Sequence, residues 1–155
     1  MPVSGETSVP VDGISIRKAA VAVMARRDHS CYELKQKLTA KFGDARLVEQ
    51  QLDRLIAEQL QSDERFVAAF VRNKQNRGKG AHYIRQALQT KGIDRDLAER
   101  YLNAVENDWP ALAVQVYRKK YGNTVVTGPQ ERAKRMRFMA SRGFSEREIY
   151  MLFDN

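Results

Sequence analysis

From Ile14 onward the apolar residues recur at steps of three and four, and glycines at Gly43, Gly92 and Gly143, 49 and 51 residues apart, punctuate the run. Ala19, Ala20, Val23 and Met24 begin the pattern, Leu34 and Leu38 follow, then Val48, Leu52, Leu55 and Ile56. It resumes at Phe66, Phe70 and Val71, at Ile84, Ala87 and Leu88, and at Leu97, Tyr101, Leu102 and Val105. That spacing is the signature of helices with one apolar face, and the alternation expected of strands is missing. Each of the three glycines follows a segment ending in basic residues or in a basic residue and Phe (AKFG, TKG, SRG). A glycine there adopts the left-handed conformation that ends a helix, and the cation before it faces the negative end of the dipole. A helical unit used three times at a period near 50 residues is the simplest reading.

The start signals agree with the stops. Ser30 with Glu33, Thr127 with Gln130, and Ser145 with Glu148 have capping-box spacing, and Asp44 and Asp94 stand where they can cap the helices after Gly43 and Gly92. Pro110 and Pro129 fall near two further helix starts, where a missing N–H does no harm. About nine helices of ~9–17 residues are predicted. The fold class is therefore all-α: three tandem three-helix repeats at 14–61, 62–107 and 108–155, stacked as an elongated, curved array. The first 13 residues, MPVSGETSVPVDG, have no apolar periodicity and are expected to form a flexible tail. An array of this kind offers a long surface rather than a deep pocket, which suits an extended polymer better than a small molecule.

Composition removes several other functions. The apolar runs are far shorter than the ~20 residues a spanning helix needs, and the first residues resemble no signal or transit peptide, so a soluble, cytoplasmic protein is expected. Cys31 is the single cysteine, and with only His29 and His82 beside it no zinc cluster or internal disulfide can be written. Cys31 and His29 are close in the chain, but nucleophilic catalysis also needs a base at hydrogen-bond distance and a group to orient it. Gly78-Lys79-Gly80 lacks the spacer and the Ser/Thr of a phosphate loop, no strand precedes it, and it reads as a flexible turn between two helices. The carboxylates are interleaved with Lys and Arg at helical spacing, the pattern of a solvated face. No catalytic residue, metal or cofactor is predicted.

Charge is the positive signal. Against 19 Asp and Glu stand 27 Lys and Arg, a net +8, distributed as −2, +3, +2 and +5 over residues 1–15, 16–61, 62–108 and 109–155. Such a surplus favours an anionic partner, nucleic acid foremost. It is concentrated in Arg72, Lys74, Arg77 and Lys79, in Arg118, Lys119 and Lys120, and in Arg132, Lys134, Arg135 and Arg137. Tyr83, Tyr101, Tyr117 and Tyr121 are available to stack on bases or, with Trp109, to pack between helices.

The stretch from Leu60 to Leu102 resembles the most characteristic part of the RecX family of bacterial regulatory proteins: Asp63 and Phe66, a basic run into Gly80, then Ile84, Leu88, Lys91, Gly92 and Ile93. Tyr32–Leu38 (YELKQKL) is similar to the family's first module and Ser141–Phe153 (SRGFSEREIYMLF) to its ending, so the resemblance covers about residues 15–153. One departure is Ala-Lys-Phe-Gly-Asp at 40–44, where the family more often has Lys-Gly and an apolar residue. The resemblance implies a non-enzymatic protein of three helical repeats that binds the RecA filament on single-stranded DNA. It further implies restraint of RecA's ATP hydrolysis, strand exchange and coprotease action. Charge, rather than the resemblance, nominates Arg72, Lys74, Arg77, Lys79, Lys119, Lys120, Arg132 and Arg135 as contacts to filament or DNA. The alternative is a helical protein that coats nucleic acid without RecA. A chain with no heptad seam is expected to be monomeric.

Overall fold

The computed structural model describes residues 11–154. Among them lie nine helices and no strand: α1 (Gly13–Met24), α2 (Cys31–Phe42), α3 (Ala45–Ala57), α4 (Asp63–Asn76), α5 (Ala81–Thr90), α6 (Arg95–Leu102), α7 (Trp109–Tyr121), α8 (Pro129–Ser141) and α9 (Glu146–Met151). None is long and apolar enough to cross a membrane. Residues 1–10 of the expected tail lie outside the described residues, but Asp12 caps α1 and Gly13 begins it. The Asp12 carboxylate accepts the Ser15 N–H at 2.7 Å, a bond that holds its pKa below the usual range. The chain divides into two units within α4, between Phe66 and Val67.

In the first unit the stops and starts act as written. Ser30 and Glu33 form a full capping box on α2, Gly43 closes that helix at φ 74°, and Asp44 accepts the Leu47 N–H to open α3. The departure at 40–44 therefore leaves a regular turn. Ile16, Ala20, Leu34, Leu38, Phe42, Val48, Leu52 and Leu55 form one core, with each fully buried aliphatic side chain contributing about 1.5–3 kcal/mol. Helix α3 stops at Ala57, because Gln59 takes φ 61° and the N–H groups of Leu60 and Gln61 both donate to the Leu55 carbonyl. A polar network ties this corner together: Gln61 Nε2 donates to the His29 carbonyl and to Asp63, and Asp63 accepts the Cys31 N–H at 2.8 Å.

In the second unit α5 and α6 pair through Ile84, Leu88, Ile93, Ala98 and Leu102, all buried. An Arg85–Glu99 ion pair borders them, and its hydrogen bonds hold the Glu99 carboxyl below its ordinary pKa. Val105, expected in this face, is fully exposed. The helix ends at Leu102, where the Asn107 side chain donates to the carbonyls of Tyr101 and Leu102 and turns the chain. Helices α7, α8 and α9 close around Ala113, Met139, Phe144 and Ile149. Asp108 caps α7, while α8 starts at Pro129 behind Gly128 with no side-chain cap, so Thr127 and Gln130 do not form the expected box. Asp94 likewise precedes α6 without a side-chain capping bond.

Candidate functional site

The turn after α4 is docked rather than free. The Gly80 N–H donates to the Arg142 carbonyl at 2.8 Å, the His82 N–H donates to the Gly143 carbonyl at 3.0 Å, and Arg142 Nη2 donates to the Arg77 carbonyl at 2.6 Å. Two glycines permit this approach. A Cβ on Gly80 would lie 2.5 Å from the carbonyl carbon and oxygen of Gly143, and one on Gly143, at φ 99°, would fall on the Cβ and backbone nitrogen of Tyr83. The expected flexible turn is thus a fixed seam joining the end of α4 to the end of α8.

Beside the seam lies a groove of about 720 Å³. Arg77, Lys119, Lys120 and Arg142 line it, its apolar wall is Leu112, Val116 and Phe138, and no carboxylate among the described residues contributes. Helix α7 ends at Tyr121, so the basic run of its last turn is carried into the groove wall by Lys119 and Lys120. The Arg142 guanidinium is anchored at one end on the Arg77 carbonyl, while its buried Nε–H has no acceptor among the described residues. An uncompensated cluster of cations in a concave site concentrates positive potential there.

The structure sorts the eight residues nominated by charge. Arg77, Lys119 and Lys120 meet in this groove. Lys74, Lys79 and Arg132 lie over the rings of Phe70 (5.3 Å), Tyr83 (4.3 Å) and Phe153 (5.1 Å). Arg72 is exposed. Arg135 is a correction: its side chain is only 2% exposed. It donates to Glu131 at 3.0 Å and to the Tyr117 hydroxyl and the Thr124 carbonyl at 2.8 Å each, with its guanidinium 4.5 Å from the Tyr121 ring centre. The Tyr117 bond, ahead of its other neighbours, raises its pKa further. It ties α7 and α8 together and is not presented to a partner. Arg142 is the converse, a groove residue that reads in sequence as an ordinary helix-ending cation before Gly143.

Tyr117, Tyr121 and Trp109 pack between helices. Tyr117 meets Tyr121 at 5.1 Å and Phe153 at 5.7 Å, and the Trp109 indole N–H donates to the Leu102 carbonyl at 2.9 Å. At the other end of the chain, burial and then Asp63 push the Cys31 thiol up in pKa, the opposite of what activates a nucleophile. The His29 ring is within 3.0 Å of the Arg27 carbonyl through Nδ1, and burial lowers its pKa.

Comparison with known proteins places this fold in a family. Residues 62–102 match the family model described as the second three-helix domain of RecX, and residues 106–152 match the one described as the third. The chain is 36% identical over 132 residues to regulatory protein RecX of Pseudomonas entomophila, covering 85% of each chain. To regulatory protein RecX of Chromohalobacter salexigens it is 39% identical over 133 residues, covering 86% of this chain and 87% of the relative. Among solved structures, RecX from Lactobacillus salivarius superposes with a TM-score of 0.77 at 22% identity, over 92% of this chain and 94% of that one, a likeness of fold. With two of its helical modules matched by family models and relatives above 30% identity along most of its length, the chain belongs to the RecX family of regulatory proteins.

Proposed function

We propose that this chain regulates the RecA recombinase by binding its filament on single-stranded DNA, restraining ATP hydrolysis, strand exchange and coprotease action by occupancy and without chemistry of its own. The observation that carries the reading is the four-cation groove, free of carboxylates, in a member of the RecX family. A nucleoprotein filament displays phosphates and acidic protein surface together, and a concave cationic face matches both in sign. In this reading Arg77, Lys119 and Lys120 make the central contacts, and Arg72, Lys74, Lys79 and Arg132 surround them. The protein works in the cytoplasm as a monomer built from repeats at 14–61, 62–107 and 108–155.

The test is RecA's DNA-dependent ATP hydrolysis titrated with this protein. A decline with added protein is expected: substoichiometric if it caps filament ends, near one-to-one if it coats them. Unchanged hydrolysis at saturating protein overturns the reading, and tighter binding to the bare strand than to the RecA-coated strand would favour a nucleic-acid coat that acts alone.

A further inference from the structure

We infer that residues 124–127, between α7 and α8, act as a strand without a partner in their own chain, and that they pair main chain to main chain with an exposed sheet edge of a partner protein. This rests on the filament reading and adds to it how the protein face of the filament is held.

Four observations carry it. First, the segment reads Thr-Val-Val-Thr, the one run of four β-branched residues in the sequence. Such side chains are stiff in a helix and fit a pleated strand, and in the structure the four belong to neither helix nor turn. Second, only the first of them is bonded from within. The Thr124 N–H donates to the Tyr121 carbonyl at 3.2 Å, and the Thr124 carbonyl accepts from Arg135 at 2.8 Å. The main-chain groups of Val125, Val126 and Thr127 make no hydrogen bond among the described residues. Along a strand the N–H and C=O groups of successive residues point to opposite sides. With the Thr124 groups turned inward, those of Val125 and Thr127 face away, and a row of unpaired donors and acceptors is what a sheet edge pairs with. Third, Gly122 (φ 60°) and Gly128 (φ 152°) bracket the segment, and a Cβ on either would meet open space, so nothing packs against its two ends. Fourth, Val125 is 77% exposed, an apolar side chain for a neighbouring strand to cover.

The surroundings fix the sign of the partner. A hollow of about 780 Å³ beside Thr127 is lined by Lys134 and Arg137, which make no ion pair among the described residues, while the carboxylate there, Glu131, is taken by Arg135. The sheet edge that fits therefore carries acidic side chains next to it. A second copy of this chain fits poorly, because residues 109–155 carry +5 and would repel their like. A phosphate backbone offers acceptors alone and leaves the Val125 and Thr127 carbonyls without donors.

The experiment uses the full chain and RecA filaments on single-stranded DNA. Hydrogen exchange read by mass spectrometry should slow in peptides spanning residues 122–128 when filaments are present. Val125→Pro removes an outward N–H that bonds nothing in this chain and keeps the residue before it extended. It should raise the concentration for half-maximal restraint of RecA hydrolysis about fivefold or more, since a partner carbonyl is left unpaired. Val125→Thr, which keeps the N–H and the β-branched shape, should match the unaltered chain, and thermal midpoints by circular dichroism confirm that both variants fold. Unaltered exchange at 122–128 overturns the inference, as does an unchanged half-maximal concentration for Val125→Pro. A loss in Val125→Thr as large as in Val125→Pro overturns it too, by making the contact one of side chains. So does a dimer in sedimentation equilibrium that Val125→Pro abolishes, which would assign the strand to a second copy. Restraint of RecA without slower exchange at 122–128 defeats this inference alone, and slower exchange without restraint defeats the filament reading alone.

Discussion

Replacing Gly80 by alanine isolates the seam from every other property of the turn. At φ −83° and ψ 172°, Gly80 has a backbone any residue adopts. On backbone grounds alone Gly80→Ala should stabilise the chain by about 0.4–1 kcal/mol, by reducing the freedom of the unfolded state. The structure reverses that sign. The new Cβ would lie 2.5 Å from the carbonyl carbon and oxygen of Gly143 and 2.8 Å from the Phe144 nitrogen, all backbone atoms that cannot swing aside. Comfortable contact begins near 3.5 Å, so the two segments must part by about 1 Å. Overpacking of this kind costs about 1–3 kcal/mol. Parting also stretches the bonds from the Gly80 and His82 N–H groups, 2.8 and 3.0 Å long, each worth about 0.5–1.5 kcal/mol. The balance is a destabilisation of about 1–6 kcal/mol once the unfolded-state gain is subtracted. Trp109, the only tryptophan, lies in the same unit, so its fluorescence reports urea unfolding where the change is made. With a denaturant slope of about 2 kcal/mol per molar, the midpoint should fall by about 0.5–3 M. An unchanged or raised midpoint would refute the close approach and, with it, the account of the groove's back wall.

Gly43→Ala makes the complementary case: its Cβ would meet open space, so only the left-handed backbone at φ 74° is strained, and a loss of about 1 kcal/mol in a urea titration followed by circular dichroism is expected. His29, whose pKa burial lowers from the ordinary 6.5, sets a pH dependence. Its unfolded form takes up the proton first, so stability is full above the unfolded value, falls as pH drops through it towards the folded value, and levels off beyond. Arg27 and Lys37 disfavour that proton while Glu33 favours it, and His29→Gln should flatten the midpoint-against-pH curve in that window. Arg135→Lys keeps the charge but loses the fork that reaches Glu131, Tyr117 and Thr124. Its thermal midpoint, followed by circular dichroism, should drop.

What could be read in advance depended on whether the signal was local. Both ends of α2 were legible because Ser30, Glu33 and Gly43 act within a turn of the residues they bond. The end of α3 was not, since Gln59 adopts a conformation that its residue type does not announce. Arg135 and Arg142 show the same limit for the site. Glu131 stands four residues before Arg135, a pairing visible in sequence, but the Tyr117 and Tyr121 side chains that enclose its guanidinium come from another helix. The groove is likewise tertiary: Arg77 and Lys119 lie 42 residues apart and share a wall because the seam holds the end of α4 against the end of α8.

The aromatic residues, expected either to stack on bases or to pack between helices, give the cationic surface a property that charge counting misses. A lysine or arginine that contacts phosphate gives up rotamer freedom, a cost of about 0.5–1.5 kcal/mol for each immobilised side chain. Lys79 over Tyr83, Lys120 over Phe138 and Arg132 over Phe153 already lean on rings, and Arg142 is pinned to the Arg77 carbonyl. Part of that entropy is surrendered on folding, where cation–π attraction of about 0.5–1 kcal/mol at an exposed site offsets it. The heads stay charged and accessible while their stems are restrained, so an arriving anion meets donors already in position. Removing a ring should therefore weaken anion binding without changing its salt slope, because the number of phosphates neutralised is the same, whereas removing a cation should change both.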